Sequence, residues 1–201
     1  MARPNRPFTT KTIRLTALVV GVTLFSPALL PGTLPFAGLT PVAGAARAAE
    51  GSSLAAPTGK VILDVSGSIA VTNTPEGSAA FDRAMLAAMP RSAIETTTPW
   101  TEGAQRFEGV LLADLVARLG ATGTRITARA LNDYSYTFDL ADAMSRGALI
   151  ADLTNGKQMS VRERGPLWIV FPLDDMKGMT EVERHEMQSR MVWQLKQITF
   201  N

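Results

Sequence analysis

The chain has 201 residues, no cysteine and a single histidine, with 20 lysines and arginines against 18 aspartates and glutamates. Without cysteine there is no disulfide staple and no thiolate to bind a metal, and one histidine alone cannot supply a typical zinc site. The positive charge is unevenly placed. Residues 1–48 hold five of the basic residues and no acidic one, so the remainder carries 15 basic against 18 acidic residues and a formal net charge of −3. That remainder lacks the electrostatic basis of a nucleic-acid partner.

The N-terminal 48 residues read as a cleaved secretory signal. Arg3, Arg6, Lys11 and Arg14 form a positive start. Leu15 to Leu30 is mostly apolar, and Ala46-Arg47-Ala48 fits a small-residue cleavage rule, with Ala43-Gly44-Ala45 as a second candidate. The apolar run is shorter than the roughly 20 residues of a spanning helix and carries Pro27. The expected location is therefore periplasmic or secreted, with no membrane span in the mature chain. Residues 49–58 read as a flexible arm and 59–201 as one globular domain, long enough to bury a core without disulfides.

Along that domain, Lys60 to Val65 reads as a strand broken by Gly67. Ser78 is expected to cap a helix to Met89, with Phe81, Met85 and Met89 on one face. Ala93 to Thr98 is extended. Val110 to Leu119 reads as a helix stopped by Gly120. Thr124 to Ala130 and Tyr134 to Phe138 alternate as strands, and Asp139 caps a short helix to Ser145. Ala148 to Leu153 and Lys157 to Val161 flank Asn155-Gly156, a strong hairpin signal. Leu167 to Phe171 is a fully apolar strand. Thr180 to Glu183 is a capping box opening a polar helix. Val192 to Phe200 closes the chain as a strand whose apolar period slips at Gln197, which implies a bulge or bend. Together these predict an α+β class with a mixed, largely antiparallel sheet and a few interspersed helices.

Candidate chemistry is sparse. Asp64-Val65-Ser66-Gly67-Ser68 fits D-x-S-x-S, the metal-ion-dependent adhesion motif of von Willebrand A domains. One carboxylate and two hydroxyls are hard ligands suited to Mg²⁺. The competing account puts Asp64 and Ser66 on the polar side of a strand and Ser68 in a turn. The Thr72 to Gly77 loop and the Asn155-Gly156 hairpin also fit poorly with that fold. His185 sits among charges on a helix and reads as a solvated residue. Asp174-Asp175 reads as a solvated loop pair, and Arg162-Glu163-Arg164 as a strand end alternating across solvent.

An ordered set of phrases resembles the molybdopterin-binding domain of the sulfite oxidase family in a short, single-domain form. The phrases are Thr98-Pro99-Trp100-Thr101-Glu102-Gly103, Phe107 to Leu115, Ala130 to Tyr134, Asn155-Gly156-Lys157, Gly165-Pro166-Leu167-Trp168 and Pro172. The resemblance implies that family's α+β fold and a groove that holds a molybdenum-bearing pterin. It places Thr98, Trp100, Asn132, Asp133, Tyr134, Arg162 and Arg164 near that groove. Trp100 and Tyr134 are equally suited to core packing, and Asn132-Asp133 to a turn.

The resemblance also implies a cysteine thiolate on the metal, where this chain has Glu95-Thr96-Thr97-Thr98. A neutral hydroxyl replaces a soft, charged thiolate poorly. The family's substrate-binding arginine near Gly-Pro-Leu is replaced by Trp168. Exported members that carry the cofactor use a twin-arginine signal, and no Arg-Arg pair stands here. The expectation is a metal-free periplasmic module binding a small ligand or a membrane sensor protein, with no cofactor. The alternatives are a molybdopterin-dependent oxidoreductase with non-cysteine ligation, or an adhesion-type Mg²⁺ domain using Asp64, Ser66 and Ser68.

Overall fold

Two five-stranded sheets built from distant parts of the chain enclose a shared core. The computed structural model describes residues 53–201; the expected signal and residues 49–52 of the arm lie outside the described residues. The first sheet runs β2 (Ala79–Asp82), β1 (Val61–Gly67), β10 (Leu195–Phe200), β5 (Arg125–Ala130), β6 (Ser135–Asp139). β1 and β10 are parallel; every other neighbour pair in this sheet is antiparallel. The second sheet is antiparallel throughout. It runs β3 (Ser92–Thr97), β4 (Ala104–Leu111), β7 (Leu149–Thr154), and the free edge of β7 takes both β8 (Lys157–Gln158) and β9 (Trp168–Val170). The helices are α1 (Arg83–Ala87), α2 (Leu112–Leu119), α3 (Leu140–Ser145) and α4 (Glu181–Arg190). The class is α+β with mixed, largely antiparallel sheets.

Alternation along the strands makes the core. Leu63 and Val65 on β1, Ile126 and Ala128 on β5, and Ile198 and Phe200 on β10 all point inward. They meet Leu112, Leu115 and Leu119 of α2 and the apolar strand β9 in one contiguous cluster. Gly120 ends α2 in the left-handed conformation (φ 58°). Asn155 and Gly156 take positive φ values of 51° and 73° in the β7–β8 turn, as a two-residue hairpin loop requires. The β10 slip is real: its register against β5 shifts between Leu195 and Gln197, just after Gln194 at φ 53°. A bridge between Trp168 and Trp193 joins the two sheets near this point.

Three secondary-structure expectations are corrected. Ser78 does not cap a helix. Residues 79–82 form β2 against β1, with Phe81 buried opposite Leu63, and the helix begins only after Asp82. The i, i+4 spacing of Phe81 and Met85 thus straddles a strand-to-helix switch. Val110 lies in β4, and its helix starts at Leu112. Residues 161–163 form a 3₁₀ turn capped by Ser160 instead of a strand end, and Arg164 follows at φ 72°. Residues 53–58, read as the end of a flexible arm, hydrogen-bond to the domain. Ser53 O accepts from Arg118 at 2.9 Å, Ala55 O from Asn73 at 2.8 Å, and Thr58 N donates to Asp82 at 2.9 Å.

Asp82 ties the arm to α1. Its carboxylate accepts from Met85 N at 2.9 Å, which caps the helix, and from Gly59 N at 2.8 Å and Thr58 N. These N–H donors hold its pKa below the ordinary 3.8, with Met85 the largest cause and Gly59 next. A carboxyl depressed in the folded state stabilises fully above its unfolded pKa and loses that contribution as pH falls through the folded value. The urea midpoint will therefore fall on acidification below about pH 4. Asp82→Asn will lower the midpoint at pH 7 and flatten that acid dependence.

Candidate functional site

The site grows from the loop after β3. Thr98 Oγ1 accepts from Trp100 N at 3.2 Å and shares a hydrogen bond with Thr101 Oγ1 at 2.9 Å, a hydroxyl-closed turn that fixes Trp100. The Trp100 ring stands edge-on to Trp168 at 5.9 Å, and Trp168 edge-on to Phe107 at 5.3 Å. Trp168 is buried, and its Nε1 donates to Met191 O at 3.1 Å. A column of rings thus runs from the buried core out to Trp100.

Across from Trp100, the β5–β6 turn presents Asn132 and Tyr134. Asp133 takes φ 64°, and Asn132 Oδ1 accepts from Tyr134 N at 3.2 Å, so this is the Asx turn that the sequence allowed. The Tyr134 hydroxyl donates to Ser189 O of α4 at 3.1 Å. Partial burial, with a smaller effect from Tyr136, pushes the phenol above its ordinary pKa. Helix α4 contributes His185, Gln188 and Ser189, spaced three and four residues apart on one face. Trp193, on the way into β10, supplies the third ring. Together these residues line a cavity of about 300 Å³ with Met191 and Ala130. Its lining holds three aromatic rings, two amides, two hydroxyls and an imidazole, and no carboxylate, lysine or arginine. Among the described residues neither the Trp100 nor the Trp193 indole N–H meets a protein acceptor.

Of the seven candidate pocket residues, the structure brings Trp100, Asn132 and Tyr134 together. Thr98 is buried beneath them as the turn's anchor. Asp133 turns away to an ion pair with Lys196 at 2.9 Å, and that partner lowers its pKa. Arg162 lies exposed on the 3₁₀ turn, outside this cavity. Arg164 lines a different cavity, of about 390 Å³, with its guanidinium over the Trp168 ring at 5.7 Å. Six lining residues lay outside the sequence expectation: Ala130, His185, Gln188, Ser189, Met191 and Trp193. Trp193 reads as an inward strand residue. His185 does lie on a solvated helix face, but that face also borders the cavity. The one available signal was the i, i+3, i+4 set His185, Gln188, Ser189.

The adhesion-type residues have local partners. Asp64 Oδ2 accepts from Ser78 Oγ at 2.8 Å, and Ser66 Oγ shares a hydrogen bond with Thr199 Oγ1 at 3.2 Å. Ser68 is exposed, and its backbone N–H donates to Phe200 O at 2.9 Å. Among the described residues no three His, Asp or Glu side chains come together as a ligand set. Asp174, read as solvated, clamps its loop to β3: its carboxylate accepts from Thr97 N at 2.7 Å and Thr97 Oγ1 at 2.6 Å.

Thr97 or Thr98, where the resemblance implies a metal-ligating thiolate, does not fit a molybdenum centre. No thiolate exists in the chain. Thr97 Oγ1 donates to Asp174, and Thr96 Oγ1, fully buried, accepts from Asp174 N at 3.3 Å. Thr98 Oγ1 closes the Trp100 turn. All three hydroxyls are spent on holding protein together, and none is a charged soft donor.

No protein-family model matches the chain, and no curated protein does. Among solved structures it is similar to the sulfane dehydrogenase SoxCD from Paracoccus pantotrophus, at 18% identity and a TM-score of 0.49. The match covers 69% of this chain but only 37% of that one.

Proposed function

We propose that the chain is an exported, metal-free binding module of molybdopterin-domain-like ancestry, and that its aromatic cavity takes a small, planar, uncharged heterocycle. It reports that ligand to a partner such as a membrane sensor protein. One observation carries the reading: Trp100, Tyr134 and Trp193 converge on a cavity whose only other polar groups are neutral or weakly basic. Rings supply stacking faces, while Asn132, Gln188 and the two indole N–H groups can read an edge of alternating donors and acceptors. A charged ligand would be desolvated there without a counter-charge. The export expectation rests on the N-terminal 48 residues. The metal-free reading rests on the threonines in place of a thiolate.

The test is a calorimetric titration of the chain with pterin, a neutral bicyclic probe of the required shape. Saturable binding at about micromolar Kd is expected. Trp193→Ala and Asn132→Ala should each weaken it at least tenfold while the melting temperature of Trp193→Ala stays within a few degrees of wild type. Binding that survives both substitutions, or none by any planar heterocycle tried, refutes the reading.

A further inference from the structure

We propose a second, separate site: the groove beside β1 binds an amphipathic organic anion, an apolar chain ending in a single carboxylate or sulfonate. The groove measures about 660 Å³, within the range of small-molecule sites, and shares no lining residue with the aromatic cavity.

Its lining sets exposed apolar side chains beside charged ones. Only five large hydrophobic side chains among the described residues are exposed, and three of them, Val61 (43%), Leu131 (44%) and Val161 (51%), line this groove. They come from three separate segments: β1, the turn after β5 and the 3₁₀ turn. Scattered exposed apolar residues need no explanation, but a cluster walling one concavity does.

The charges at the groove favour an anion. Lys60, Arg83 and Lys196 line it, with Asp64 and Asp82 as the only carboxylates. Asp82 is saturated by three backbone N–H donors, and Asp64 accepts the Ser78 hydroxyl. Neither carboxylate forms an ion pair with the cations among the described residues. Lys60 has no carboxylate partner there. Arg83 shares the buried Asp152 with Arg91, two guanidinium groups on one carboxylate, and lies 3.9 Å from it. Lys196 is matched only by the exposed Asp133. The lining thus sets three cations against two carboxylates beside apolar walls, a small positive excess that complements a molecule with one negative end and an apolar body.

Decanoate is the probe, and decanol its uncharged counterpart. Titrating the folded full chain should give saturable decanoate binding and at least tenfold weaker decanol binding. Lys60→Glu and Leu131→Asp should each weaken decanoate at least tenfold without a shift in melting temperature. Val161→Asp serves the same purpose should Leu131→Asp fail to fold. Trp193→Ala should leave decanoate binding unchanged, which separates this site from the aromatic cavity whatever becomes of the pterin test. Equal affinity for decanoate and decanol, or wild-type affinity in the groove variants, overturns the proposal. So does loss of decanoate binding in Trp193→Ala. Binding to phosphatidylglycerol vesicles with none to monomeric decanoate overturns it in favour of a lipid surface.

Discussion

Trp168→Ala will destabilise the chain by about 3–5 kcal/mol, the cost of removing a large, fully packed aromatic from a core. Trp168 is 1% exposed and stands directly behind the site's Trp100. Its ring contacts Phe107 on one sheet and Trp100 in the site loop, and its Nε1 satisfies Met191 O where α4 ends. Its backbone bridges to Trp193 across the two sheets. Truncation leaves a cavity behind Trp100 and an unpaired carbonyl at Met191, and the two effects add. At this domain size the melting temperature should drop by roughly 10 °C or more. Urea unfolding monitored by far-UV circular dichroism measures it. A loss under 1 kcal/mol would mean that the ring column does not hold the site. The same variant should lose pterin binding beyond its loss of folded fraction, because Trp100 then has nothing to stand against.

Gly67→Ala will destabilise by about 3 kcal/mol, through strain and collision together. Gly67 sits at φ 91°, and a Cβ there would lie 2.0 Å from the Phe200 carbonyl oxygen and 2.9 Å from its carbonyl carbon. That carbonyl belongs to the parallel β1–β10 pairing and accepts the Ser68 N–H. By contrast Ser68→Ala removes an exposed hydroxyl and should change stability by less than about 0.5 kcal/mol. Chemical denaturation of both variants checks the contrast. It also bears on the D-x-S-x-S phrase: in this account its glycine matters for close strand approach, and its last serine does not matter. A Ser68→Ala variant as damaged as Gly67→Ala, or a Mg²⁺-dependent rise in wild-type stability, would contradict that account.

Much of the fold was legible because local chemistry and tertiary structure agree. The Thr180–Glu183 capping box, the Asn155-Gly156 turn, the Asp139 cap and the Gln197 slip all appear where the residues put them. The misreadings fall where a strand passes straight into a helix. Phe81 and Met85 share helical spacing, yet Phe81 is buried by pairing with β1 and Asp82 alone marks the switch. Val110 likewise reads as the first helical apolar residue, although β4 continues through Leu111 with a register shift at Glu108–Gly109. The site was half legible. The phrases around Trp100 and Asn132–Tyr134 pointed to the cavity. The resemblance also places Asp133, Arg162 and Arg164 there, but a left-handed turn and a 3₁₀ turn send them elsewhere. Trp193 was invisible because the stretch from Val192 alternates like any core strand; only the fold brings that ring to the cavity that Trp100 lines.

The chain has three tryptophans, so its amide spectrum holds three indole N–H signals, and this makes the cavity directly observable. Trp100 and Trp193 line it; Trp168 keeps its Nε1–H on Met191 O. Titration of the metal-free chain with pterin, followed in a nitrogen–proton correlation spectrum, should move the Trp100 and Trp193 indole signals along a single saturation curve and move Trp168 least. Indole signals that stay fixed at saturating pterin, or that move only once molybdate is added, would contradict a metal-free aromatic binding site.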